Sequence, residues 1–153
     1  MALQRPSLAC GCRMWNKSCE QIYAGKQVEE ELPKLLEKQC GFYRVILELA
    51  RNEHEKYTTH KPINEIVPLM KKKQILLACV EEIEEKIQPL KKSWKGRGGH
   101  SVQEEEFYQG LFEGIENLLA EIVTIDKANE AMLMAYMDAL QKKKDKLSQN
   151  NSS

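Results

Sequence analysis

Three histidines, five cysteines and one glycine-rich stretch are the residues of this chain with types suited to chemistry. A di-iron helical bundle needs Glu-x-x-His pairs on facing helices, so that two carboxylates and two imidazoles converge on the metals. The residues three before His54, His60 and His100 are Arg51, Tyr57 and Arg97, so that pattern is missing. Cys10, Cys12 and Cys19 could hold zinc with a fourth ligand from His54 or His60, but the spacing is that of neither a finger nor a ribbon. Gly96-Arg97-Gly98-Gly99-His100-Ser101 resembles a phosphate-binding loop in its glycines alone. It lacks the Gly-Lys-Ser/Thr ending and a preceding strand, and reads as a helix connector. No nucleophile, acid and base stand at a meaningful spacing. We therefore expect no enzyme, no metal and no cofactor.

The elements that carry these residues read as helices. The chain has 153 residues, enough for one domain with a substantial core. Aromatic residues are 7% and charged residues 30%, and period-two runs of β-branched residues are missing. Lys plus Arg (23) equals Asp plus Glu (23), which gives no long-range pull toward nucleic acid or anionic membrane. No apolar run approaches the ~18 residues of a spanning helix. The first residues, MALQRPSLACGCRMW, lack the apolar core of a signal peptide. An odd number of cysteines in a helical pattern fits reduced thiols, and hence a cytoplasmic protein.

The spacing predicts an all-α fold with three long helices, packed as an antiparallel three-helix bundle or a long hairpin with coiled-coil-like contacts. Residues 1–28 read as an irregular leader, in which Met14 is a possible alternative start. Residues 29–147 read as the helical domain and 148–153 as a disordered tail. The first helix, about 29–57, has Glu29, Glu30 and Glu31 at its positive end and tolerates Pro33 only in its first turn. Its stripe is Leu36, Cys40, Tyr43, Ile46 or Leu47, Ala50 and Tyr57. After a break near His60 and Pro62, a short turn at 63–67 meets Pro68, where the second helix starts. Leu76, Val80, Ile83, Ile87, Leu90 and Trp94 are spaced 4-3-4-3-4, a coiled-coil seam, and Pro89 is expected to kink or end that helix. Lys71, Lys72, Lys73 and the glutamates 81, 82, 84 and 85 read as solvated faces. Lys91, Lys92, Lys95 and Arg97 read the same way, with an acidic partner as the other use of both basic clusters.

Ser101 with Glu104 forms a capping box that opens the third helix, expected over 101–147. Leu111, Ile115, Leu118, Ile122, Ile125, Met132 and Tyr136 line its core face, and Asn129 falls on the same seam, where a buried amide can fix register. At about 70 Å this helix far exceeds the ~39 Å of the second. It must break near Asp126 to Asn129, protrude, or be covered by another subunit. Its end is apolar on two faces: Met132, Tyr136 and Leu140 on one, Leu133, Met134 and Met137 on the other. A helix apolar on two faces contacts two things, and methionine suits a surface that accepts more than one partner. Asn129, Met132, Leu133, Met134, Tyr136, Met137 and Leu140 are therefore the candidate partner-binding residues, for a client protein or for a second copy of the chain.

The segments QCGFYRVILELARNEHEKY and MKKKQILLACVEEIEEKIQPLKKSW are similar in layout to the FlgN family of flagellar export chaperones. The shared pattern is aromatic-plus-leucine stripes, a short break, and a Lys-Lys-Gln turn leading into LL…VEEIEEKIQPL. It covers about residues 29–147, while the cysteine-bearing leader departs from it. The resemblance implies a non-enzymatic cytoplasmic chaperone. Such a protein holds hook-associated proteins of the hook-filament junction, prevents their early assembly and delivers them to the flagellar type III secretion apparatus. It also implies substrate binding through the C-terminal helical region, here residues 129–147.

Overall fold

A computed structural model of the chain describes residues 17–151, with side chains from Glu30 onward. Among the described residues there are three α-helices and no strand: α1 (Lys17–Thr58), α2 (Ile63–Arg97) and α3 (Val102–Asn151). The fold is all-α.

The helices are longer than the sequence pattern predicts. Helix α1 begins at Lys17, upstream of the expected start near Glu29, so Pro33 lies well inside it. Helix α2 runs unbroken from Ile63 through Pro68 and Pro89 to Arg97, where a separate turn and a kink or stop were expected. A proline inside a helix costs roughly 3 kcal/mol, because it removes one hydrogen bond and crowds the preceding turn. What offsets it here is the burial of neighbouring side chains: Leu32 and Leu36 around Pro33, Ile66 before Pro68 and Ile87 before Pro89 are almost fully buried. Each such side chain contributes about 1.5–3 kcal/mol. Helix α3 is continuous through Asp126 and Asn129 and extends to Asn151, across positions read as tail. Cys10 and Cys12 lie outside the described residues, as does the side chain of Cys19.

The connections have clear local causes. At the end of α1, the N–H of Lys61 donates to the carbonyl of Lys56 at 2.9 Å and the N–H of His60 to that of Tyr57 at 3.2 Å. This is the Schellman pattern, and it requires a left-handed residue between helix and exit. His60 supplies it at φ 58°, a position that glycine usually fills. Between α2 and α3 the turn is made by Gly98 and Gly99, at φ 67° and 68°. Ser101 Oγ then accepts the N–H of Glu104 at 3.1 Å, the expected N-cap. The Glu104 carboxylate turns instead toward Arg97 and His100, at 3.5 and 3.4 Å.

The chain divides into two compact units. The first joins α1 up to Gln39 with Glu82–Phe112. Its core holds Leu32, Leu36, Ile83, Ile87 and Tyr108. At one end, His100 stacks on Trp94 with ring centroids 4.2 Å apart and makes a 2.7 Å hydrogen bond from Nε2 to the Trp94 carbonyl. Tyr108 and Phe112 pack against the same indole, and Lys91 Nζ sits 4.6 Å above the Phe112 ring. The second unit joins Cys40–Glu81 with the chain from Glu113 onward. Its buried apolar residues are Cys40, Tyr43, Ile46, Leu47, Ala50, Tyr57, Ile66, Val80, Ile115 and Ile122. Every α1 stripe residue named from the sequence is buried.

Candidate functional site

The seven-residue repeat of α3 positions the candidate site. Tyr108, Ile115, Ile122, Asn129 and Tyr136 recur at one register position, and the first four are buried. Tyr136 is exposed, although nothing in the repeat itself changes there. The cause is the length of the partner helix in the second unit. Asn129 meets His54 of α1 at 3.0 Å, and α1 ends at Thr58, one turn further on. Helix α3 loses its last half-buried apolar side chains at Met132 and Leu133, one turn past Asn129.

From residue 134 to 151 every position of α3 is exposed, a length of about 27 Å. Met134 and Met137 are each 59% exposed, and Tyr136, Leu140 and Leu147 are exposed as well. Tyr136, Leu140 and Leu147 continue the core seam, whereas Met134 and Met137 lie beside it. Lys142, Lys143, Lys144 and Lys146 surround the far end, all exposed. An apolar strip of this kind, rimmed by charge, is what protein-binding helices present.

The seven candidate residues divide into three sets. Met134, Tyr136, Met137 and Leu140 form the exposed strip. Met132 and Leu133 are half-buried at its base. Asn129 is inside the second unit, 2% exposed, with both amide atoms used within the chain. Its Nδ2 donates to the Ala50 carbonyl at 3.0 Å, which leaves Oδ1 as acceptor for His54 Nδ1–H. Asn129 therefore anchors the strip, and the strip itself begins a turn later.

Next to Asn129 lies a charge cluster that the sequence pattern did not reveal. Lys73 reads as one of three solvated lysines, and Lys71 and Lys72 are indeed exposed. Lys73 is buried: its Nζ lies 2.6 Å from Asp126 Oδ1, as a hydrogen bond, and 2.6 Å from Glu53 Oε1, close as an ion pair but not aligned as a hydrogen bond. Burial alone would push the ammonium pKa down. The hydrogen bond to Asp126 and the close negative charges of Asp126 and Glu53 outweigh it and hold the pKa above the ordinary lysine value. The Tyr57 hydroxyl beside them is raised by burial, further raised by the Glu53 carboxylate and opposed by Lys73. One signal was available in the sequence: Asp126 and Asn129 interrupt apolar positions at helical spacing on α3. Among the glutamates read as solvated, Glu84 is half-buried and accepts a 2.9 Å hydrogen bond from the buried Gln39.

The described residues include no group of three or more metal-ligating side chains. A groove of about 540 Å³ in the first unit runs between α1 and α2 over Leu35, Pro89 and Leu90. Its charged groups, Glu31, Lys34 and Lys86, are all exposed. Among the described residues no helix is long and apolar enough to cross a membrane. The chain matches no protein-family profile, no curated protein and no solved structure.

Proposed function

We propose that this chain is a cytoplasmic export chaperone of the FlgN type, without catalytic activity. It holds hook-associated proteins through the exposed end of α3 and hands them to the flagellar type III secretion apparatus. The observation that carries this reading is the strip Met134, Tyr136, Met137 and Leu140. It is an intact helical surface, apolar on two faces, with no cover from the rest of its unit. Capture is helix-in-groove: an amphipathic client segment, disordered until bound, lays its apolar side against the strip. Unbranched methionines repack around different clients at low cost, and the lysines beyond them form a polar rim.

The packing behind this reading is an antiparallel three-helix bundle with coiled-coil-like contacts. Its support is the order of the pairs in the second unit: Lys56 of α1 meets Glu65 of α2, and Glu53 meets Lys73. Climbing α1 thus means descending α2. Along α3 the order returns, with Arg51 on Glu121 and His54 on Asn129. No nucleic-acid contact or membrane insertion belongs to the mechanism. Titration of purified hook-associated proteins into the chain, followed by sedimentation, tests the reading. A complex of defined stoichiometry supports it. A tight homo-oligomer that buries residues 131–140 and excludes the client would replace it with a self-associating structural coiled coil.

A further inference from the structure

In the second unit the buried apolar side chains of α3 stop at Ile122. Beyond that point the one buried side chain of α3 is the polar Asn129. Asp126 sits on Lys73, and Asn129 sits between the Ala50 carbonyl and His54, while Ile125, Met132 and Leu133 are half-buried. The layer is also incompletely satisfied. The Tyr57 hydroxyl is buried without a hydrogen-bond partner among the described residues, and Glu53 Oε1 meets the Lys73 ammonium at 2.6 Å without an aligned hydrogen bond.

Such a layer is an uneven fastening. When it opens, Asp126, Asn129, Tyr57 and the Lys73–Glu53 pair regain water; that pair stays joined between α2 and α1, and the one ion pair lost, Lys73–Asp126, contributes little net stability over solvation. Opening α3 further back would expose Ile115 and Ile122 and forfeit full apolar burial. The two stretches of one helix therefore differ in the free energy of local opening.

We propose that α3 works as a strap with two arrangements: a docked one, with Asn129 and Asp126 seated, and a released one in which the helix leaves α1 and α2 from about Asp126 onward while residues up to Ile122 stay packed. Release joins Ile125, Met132 and Leu133 to the exposed strip and lengthens the apolar face. The strap is a property of the free protein and does not depend on the identity of any client.

Hydrogen exchange on the full chain, read by mass spectrometry, tests it. An undocked helix has no packing to hold its hydrogen bonds, so it frays and re-forms in water and release shows as amide exchange. Residues 126–133 are expected to be less protected than 115–122 by about tenfold or more, with a shallower denaturant dependence because less surface opens. Replacing the layer with apolar residues (Glu53→Leu, Lys73→Met, Asp126→Leu, Asn129→Leu and His54→Leu together) should close that gap while leaving residues 134–151 fast. Equal protection and equal denaturant slopes across 115–133 in the natural chain would overturn the proposal. So would an unchanged gap in a replaced chain of native helicity. Should the replaced chain fail to fold, the two slopes in the natural chain decide the matter.

Discussion

Asn129 and Ala50, 79 positions apart in the chain, are joined by a 3.0 Å hydrogen bond from the asparagine amide to the backbone carbonyl of α1. The bond is buried, and the other end of the same amide accepts from His54. It fixes where α3 lies along α1, and so fixes how much of α3 extends past Thr58. A buried amide on an apolar seam sets register at some cost in stability.

Substitutions at Asn129 should separate polarity from packing. Asn129→Asp removes the donor to Ala50 and adds a carboxylate near Glu53 and Asp126, so urea unfolding should show a loss of roughly 2–4 kcal/mol. Asn129→Leu leaves the half-buried His54 with access to water and should stay within about 1 kcal/mol of the natural chain. Its predicted defect is looser register, read as heterogeneity in sedimentation.

Lys73 compensates two carboxylates, and the Glu53 side chain is only 4% exposed. Lys73→Met should cost about 3–5 kcal/mol, because it strands buried negative charge. Adding Glu53→Leu and Asp126→Leu should recover most of that loss. The folded ammonium holds its proton more tightly than the unfolded one. Its contribution is therefore fully present below the unfolded lysine value of about 10.4 and is lost as pH rises through the folded value. Tyr57, also raised, acts in the same direction. Unfolding midpoints should fall with alkalinity above about pH 10, and the decline should be shallower in the triple apolar variant.

His60 holds a left-handed conformation that costs a side-chain-bearing residue roughly 1–2 kcal/mol. His60→Gly should raise stability by about 0.5–1 kcal/mol, with part of the gain returned as unfolded-state entropy. A lowered midpoint in thermal unfolding would show that the imidazole makes a contact that outweighs the strain.

The strip and the core of α3 should respond oppositely to charge. Met134→Glu and Met137→Glu place carboxylates on an exposed surface and should change circular dichroism and unfolding midpoints by no more than about 0.5 kcal/mol. Ile122→Glu, at the register position of Tyr136 two repeats earlier, buries a charge and should unfold the second unit.

Much of this architecture was legible in the sequence. The stripe from Leu36 to Tyr57 is apolar at helical spacing, and burial follows from that pattern alone. The mismatch in helix length located the exposed end of α3. What the pattern hid falls into two kinds. Prolines 33, 68 and 89 read as breaks because local propensity is local, whereas the burial of Leu32, Ile66 and Ile87 that offsets them is tertiary. Lys73 reads as one lysine in a row of three, and only the approach of Glu53 and Asp126 from two other helices makes it a buried charge.

In the proposed function, residues 134–140 of α3 grip a client's amphipathic helix. Isothermal titration of a purified hook-associated protein into the natural chain, and into the Met134→Glu/Met137→Glu double variant, tests it most directly. Defined-stoichiometry binding to the natural chain is expected, with at least a ~100-fold loss in the variant, equivalent to about 2.7 kcal/mol or more, at unchanged helicity. Equal affinity for both chains would contradict it.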